Sequence, residues 1–126
     1  MSFWRHLSRK HIKTPLMLQM DATECGAAAL GSILAYYHCY VSLETLRIDC
    51  EVSRHGCRAD LLCYAARSYG MEAQTATIDL EDLANIQFPV IAHWKFNHFI
   101  VLEEITKIGI YVNDPATGHR LISWEN

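Results

Sequence analysis

Gln19-Met20-Asp21-Ala22-Thr23-Glu24-Cys25-Gly26-Ala27-Ala28-Ala29-Leu30-Gly31 is the stretch whose reading decides the fold. Asp21, followed three residues later by Glu24, resembles a capping box with Asp in place of Ser or Thr, and Thr23 is a second candidate cap. The Ala-rich run from Cys25 to Tyr37 then reads as a buried helix. It sits in a segment, Cys25 to Leu43, that holds no Asp, Glu, Lys or Arg. Gly26, Gly31, Ser32, His38 and Ser42 interrupt that segment, and its apolar part is too short to span a bilayer. Cys25 falls in the first turn of the helix, where unpaired backbone N–H groups and the helix dipole favour negative charge. Such a place is expected to lower the thiol pKa and enlarge the thiolate fraction, as a nucleophile needs. A buried, inert cysteine is the other reading of the position alone.

Outward from this helix the chain changes period. Pro15 precedes the entry segment Leu16-Met17-Leu18-Gln19-Met20. Ser42 caps a short helix over Leu43–Cys50, and Arg58–Tyr69 reads as a third helix ended by Gly70. The second half reads as strands: Glu72–Ile78, Phe88–Trp94 with Pro89 near its start, His98–Ile105, Ile108–Asn113 and Arg120–Trp124. Leu80–Ile86 is a short helix or turn, and Pro115-Ala116-Thr117-Gly118 is a turn. Helices followed by an antiparallel meander define an α+β class, with N-terminal helices packed on a C-terminal antiparallel β-sheet.

The 126 residues fit one domain, and 51% hydrophobic against 20% charged residues is enough apolar material for a real core, which excludes disorder. A net charge of −3 gives no footing for phosphate contacts, so nucleic acid is not an expected partner. The charge is uneven. Residues 1–20 carry Arg5, Arg9, Lys10 and Lys13 and no acid, whereas the rest carries seven basic and fourteen acidic residues. The expected organisation is a basic N-terminal arm over 1–13 and a single domain over 14–126. The arm reads either as a solvated terminus or as a segment drawn to an anionic membrane or another subunit. No secretory signal follows it. Five cysteines, an odd number with no CxxC pair, argue for a reducing cytosol rather than a disulfide framework. Cys50, His55, Cys57 and Cys63 make a zinc site conceivable, but their spacing matches no common template.

His98 and Asp114 lie at the two ends of a predicted hairpin. With the turn centred near Thr106–Lys107, paired residues sum to about 212–214, and His98 plus Asp114 sums to 212. The two side chains are then expected on one face of the sheet, a placement that a register slip of one residue would undo. Asp114 before Pro115 also suits the start of a turn. A thiolate at a helix start, a histidine and an acid orienting that histidine make a nucleophilic triad. An oxyanion donor is also required, and the side-chain amide of Gln19, six residues before Cys25, is placed to reach back with the Cys25 N–H.

At these residues the chain resembles a known family. Gln19 to Gly26 resembles the cysteine segment of the double-glycine leader peptidase domain, a papain-like cysteine protease at the cytosolic N-terminus of bacteriocin-processing ABC transporters. Asn97-His98-Phe99-Ile100-Val101-Leu102 resembles its histidine segment, and Asn113-Asp114-Pro115-Ala116-Thr117-Gly118 its aspartate segment. The three come in the family's order across about Thr14 to Trp124. Glu24 to Gly31 looks closest to transporters of lanthipeptide-type modified peptides. The resemblance implies a papain-like fold, with Cys25 as nucleophile, His98 as general acid/base, Asp114 as orienting acid and Gln19 as oxyanion donor. It also implies cleavage of a precursor peptide after Gly-Gly, Gly-Ala or a similar small pair, and docking of an amphipathic leader helix. Met20, Trp94 and Phe96 flank the catalytic segments as candidate channel-lining residues. No metal is expected, and no cofactor in this chain. ATP belongs to a transporter domain absent here, since neither a GxxxxGK[ST] loop nor a membrane span occurs. The expectation is a peptidase domain excised from a transporter with transmembrane and ATP-binding domains, or a stand-alone relative. A catalytically idle module that only recruits leader peptide is the main alternative, and a zinc-binding interaction domain is a third.

Overall fold

The computed structural model describes residues 12–94 and 98–125, with the side chains of Leu80 and Trp94 left out of the description. The basic arm up to residue 11, Phe96 and the Trp94 side chain therefore lie outside the described residues.

The Asp21 cap forms as expected, but on a 3₁₀ turn, Ala22–Glu24, that leads directly into the first α-helix. Asp21 Oδ1 accepts from the Thr23 N–H at 2.8 Å, and Glu24 Oε1 accepts from the Asp21 N–H at 3.1 Å. Helix α1, Cys25–Tyr36, buries every residue from Cys25 to Leu34. A helix that is apolar all round belongs in the middle of a fold, and α1 lies between the sheet and two further helices. These are α2, Leu43–Asp49, and α3, Ala59–Ser68. Ser42 caps α2 by accepting from the Thr45 N–H at 3.1 Å. Gly70, at φ 88°, follows α3 in the left-handed conformation that glycine adopts without strain.

Small residues set the spacing around α1. A Cβ on Gly31 would stand 2.4 Å from Met17 Sδ and 2.9 Å from Leu46 Cδ1, so the entry segment and α2 close directly over the helix backbone. Leu30, Ile33 and Leu34 supply the bulk of the contact, each fully buried apolar side chain worth about 1.5–3 kcal/mol.

Four antiparallel strands form a meander in the order β1-β2-β3-β4: Val90–Trp94, His98–Ile105, Gly109–Asp114 and Gly118–Ser123. Phe99 and Val101 of β2 face α1 and join its core. Ile100, Leu102, Ile110 and Val112 form a second apolar layer on the other face, with Leu83, Phe88 and Val90 packed against it. The α+β layering read from the sequence is thus the fold.

One expected strand does not form. Residues 71–79 pair with no strand among the described residues, and those from Thr75 to Asp79 are exposed. Only Met71 and Ala73 reach the core, so this alternation anchors a connecting segment without a neighbouring ladder to hydrogen-bond it. Leu80–Asn85 is a 3₁₀ helix, as the short helix-or-turn reading allowed.

Candidate active site

The C-terminal turn of the site is built around Asp114, the last residue of β3. Its side chain is 4% exposed and makes three contacts. Oδ1 accepts from His98 Nε2 at 2.7 Å and from the Ala116 N–H at 2.8 Å, while Oδ2 accepts from Arg120 Nη2 at 3.1 Å. Burial works against the charge of this carboxyl, but the Ala116 N–H, His98 and Arg120 outweigh it and hold the group below its ordinary value. An ionised carboxylate can only accept, so the His98 proton belongs on Nε2 and the lone pair on Nδ1.

Cys25 begins α1, and its sulfur accepts from the Phe99 N–H at 3.3 Å. The backbone amide of the residue after His98 therefore touches the sulfur, and β2 holds both groups on one short segment. The expectation of a lowered thiol pKa needs correction. Burial pushes Cys25 up, and the N–H groups of Phe99 and Gly26, though they act in the expected direction, do not compensate.

Gln19 ends the entry segment. Its N–H donates to the Pro115 carbonyl at 3.0 Å, which ties it to the turn after Asp114. Its side-chain Oε1 is buried without a hydrogen-bond partner among the described residues. The segment is pinned further back by a polar clamp that the sequence reading missed. Buried Glu103 Oε2 accepts from the Thr14 hydroxyl at 2.8 Å and from the Thr14 N–H. Asn113 Nδ2 donates to Thr14 Oγ1 at 2.8 Å and to the Pro15 carbonyl at 3.1 Å, and His119 Nε2 donates to the Thr14 carbonyl at 2.9 Å. Glu24 also escaped notice as more than a cap. Its Oε1 accepts the Met20 N–H at 2.6 Å, and its Oε2 pairs with Arg47 of α2 at 2.7 Å. An internal acid next to Cys25 with a basic residue on the following helix was the available signal.

Beside α1 lies an open cleft of about 460 Å³, lined by Cys57, Arg58, Asp60, Thr75, His93 and Phe99 among others. His93 stacks on Phe99 at 4.7 Å between ring centroids. Of the candidate lining residues, Met20 is 83% exposed rather than packed in the core. Trp94 pairs with His98 through its backbone. Among the described residues no three His, Cys, Asp or Glu side chains gather as a metal site.

The peptidase C39 family profile matches residues 13–126. This chain belongs to the peptidase C39 family. The crystal structure of a double glycine motif protease from an AMS/PCAT transporter, in complex with the leader peptide, superposes with a TM-score of 0.88 at 46% identity, covering 94% of this chain and 85% of that one. The peptidase domain of Streptococcus ComA shares the fold at a TM-score of 0.82 and 24% identity, covering 90% of this chain and 88% of that one. Among curated proteins, the colicin V secretion/processing ATP-binding protein of Escherichia coli is 31% identical over 113 residues, 90% of this chain but 16% of that protein. The mesentericin-Y105 transport/processing protein of Leuconostoc mesenteroides is 31% identical over 111 residues, 83% of this chain and 15% of that protein. The C39 chain described here thus spans about a sixth of the length of such relatives, and no helix among its described residues is long and apolar enough to cross a membrane.

Proposed function

We propose that this C39 peptidase domain cleaves the leader from ribosomally made precursor peptides after a Gly-Gly, Gly-Ala or similar small pair. In this reading Cys25 is the nucleophile, His98 the general acid/base, Asp114 the acid that orients His98, and Gln19 an oxyanion donor. The observation that carries it is the 2.7 Å contact between Asp114 Oδ1 and His98 Nε2, on the strand whose next amide touches the Cys25 sulfur. His98 Nδ1 takes the Cys25 proton, the thiolate adds to the carbonyl carbon, and a tetrahedral oxyanion forms. Collapse expels the leaving amine, which receives the proton from His98, and leaves a thioester. Water, deprotonated by His98, then hydrolyses the thioester and restores the thiol. Burial raises the Cys25 thiol pKa, and the imidazole is the base that takes its proton in the first step.

Support for the substrate class comes from the relatives, which are secretion and processing proteins, and from the related protease crystallised with a leader peptide. The Cys25 sulfur is buried, which favours a chain without bulky side chains at the scissile pair. The domain is read as acting on the cytoplasmic side of the bacterial inner membrane, joined to transmembrane and ATP-binding domains that bind and spend the ATP. The domain itself is proposed to need no cofactor.

The test is intact-mass analysis after incubation with a peptide aldehyde ending in Gly-Gly, under conditions that preserve the hemithioacetal, on wild type and Cys25→Ala. An adduct on wild type alone is expected. No adduct on either folded protein overturns the assignment in favour of a module that only recruits leader peptide. Cleavage of a leader substrate by Cys25→Ala at near the wild-type rate overturns it as well.

A further inference from the structure

Two cysteines have no part in this chemistry yet meet each other. Cys50 follows α2 and is fully buried, its N–H bonded to the Leu46 carbonyl at 2.8 Å. Cys57 is half-buried and lines the cleft. The chain between them doubles back. Glu51 and Gly56 adopt positive φ, at 52° and 95°, and Ser53 and Gly56 exchange backbone hydrogen bonds of 3.2 and 2.9 Å. This hairpin brings the Cys57 sulfur to 3.6 Å from the Cys50 carbonyl, to which its S–H donates, so the two cysteines adjoin.

We propose that Cys50 and Cys57 form a reversible dithiol site, oxidised to an intramolecular disulfide by a small-molecule disulfide entering through the cleft. The Cys57 thiolate attacks one sulfur of the small disulfide and displaces one small thiolate. The Cys50 sulfur, giving up its proton, then attacks Cys57 in the mixed disulfide and displaces the second. Two protein thiols lose two electrons in all, and one small disulfide is reduced to two thiols. The roles follow from the surroundings. Interaction with the neighbouring Cys50 thiol holds Cys57 below the ordinary thiol value, while interaction with Cys57 and burial push Cys50 up. Cys57 is therefore the attacking thiolate, and buried Cys50 is reached only through it. In a reducing compartment such a bond is transient.

The linkage also touches the neighbouring site. A Cβ built on Gly26 would stand 3.1 Å from Cys57 Cβ, so the side chain that would be cross-linked leans on the first turn of α1 beside Cys25. Oxidation fixes this wall of the cleft to the end of α2.

The experiment exposes the wild-type chain to glutathione disulfide, traps remaining thiols with N-ethylmaleimide and maps tryptic peptides. Cleavage at Arg47, Arg54, Arg58 and Arg67 separates Cys50, Cys57 and Cys63 onto three peptides. The expected product is peptide 48–54 disulfide-linked to peptide 55–58, two hydrogens lighter than the reduced pair and reversed by dithiothreitol. In Cys50→Ser the glutathione should instead remain on Cys57. Persistent glutathione on Cys57 of the wild type overturns the proposal, as does oxidation of Cys63 while Cys50 and Cys57 stay alkylated. The wild-type map decides even if Cys50→Ser fails to fold, and it requires no peptidase activity.

Discussion

Asp114 stands diagonally across the sheet from His98. The pairing Val101↔Asn113, carried on by one residue, sets Asp114 opposite Ile100, two positions along β2 from His98. The side chains still meet because residues two apart on a strand share a face. A β-bulge decides this. Near the turn the pairs Ile105↔Ile110 and Glu104↔Tyr111 sum to 215, and the register shifts between Leu102 and Glu104, so that Leu102↔Val112 sums to 214. Without the extra residue Asp114 would oppose Val101, on the face that packs against α1, and would point away from His98.

Asp114→Asn is expected to lower kcat by between about tenfold and 10⁴-fold, the upper figure being the loss when a triad histidine is held in the wrong tautomer. The amide oxygen of Asn can still accept from Nε2, but the amide N–H₂ competes to face it, and the charge that supports an imidazolium is gone. Steady-state cleavage of a leader-bearing peptide measures this. An unchanged kcat would reduce Asp114 to a turn residue.

The helices were legible because their signals are local. The Asp21 and Ser42 caps, Gly70 and the apolar run of α1 each act within a turn or two of chain. The hairpin arithmetic was legible only in part. It put His98 and Asp114 opposite or nearly so on one face, within a range of sums that includes the observed 214, but nothing in Leu102-Glu103-Glu104 announces the bulge that sets that register. The failed strand over Glu72–Ile78 has the same origin, since alternation reports a half-buried side without reporting a partner. Cys25 shows the limit for electrostatics. Its place at a helix start was readable, whereas the burial that reverses the direction of the shift arises in the core that Cys25 shares with residues distant in sequence, Phe99 and Val101 of β2 among them.

Gln19→Ala is expected to cost roughly 10²–10³ in kcat with KM little changed, the loss typical of one oxyanion donor. Gln19 Oε1 is buried without a hydrogen-bond partner among the described residues, and the Gln19 backbone is tied to Pro115. Truncation should leave the fold intact, because the tie is made by the main chain. The check is a kcat-against-KM comparison alongside thermal unfolding. A rise in KM alone would make Gln19 a substrate-binding residue.

Glu103→Ala should destabilise the domain and slow cleavage together. It strips the acceptor from the Thr14 N–H and hydroxyl, and each buried donor left unpaired costs about 1–3 kcal/mol. The entry segment that this clamp holds is the one that carries Gln19. Urea unfolding reads the first effect and kcat the second. Thr14→Ala, which removes only the hydroxyl contacts, should produce a smaller loss of both.

The acid side of the stability curve tests the Asp114 environment independently of catalysis. The folded carboxyl ionises below its ordinary value of 3.8, so between the two values the folded chain binds fewer protons than the unfolded one. Its contribution to stability is therefore complete above the unfolded value and fades as the pH falls through the lower folded value. Asp114→Asn has no such proton to bind. The stability gap between wild type and Asp114→Asn should hold steady at neutral pH and narrow as the pH drops below about 4. Urea unfolding of both proteins at a series of pH values measures the gap directly. A gap that stayed constant into strong acid would mean that Ala116, His98 and Arg120 do not stabilise the charged carboxylate over its neutral form.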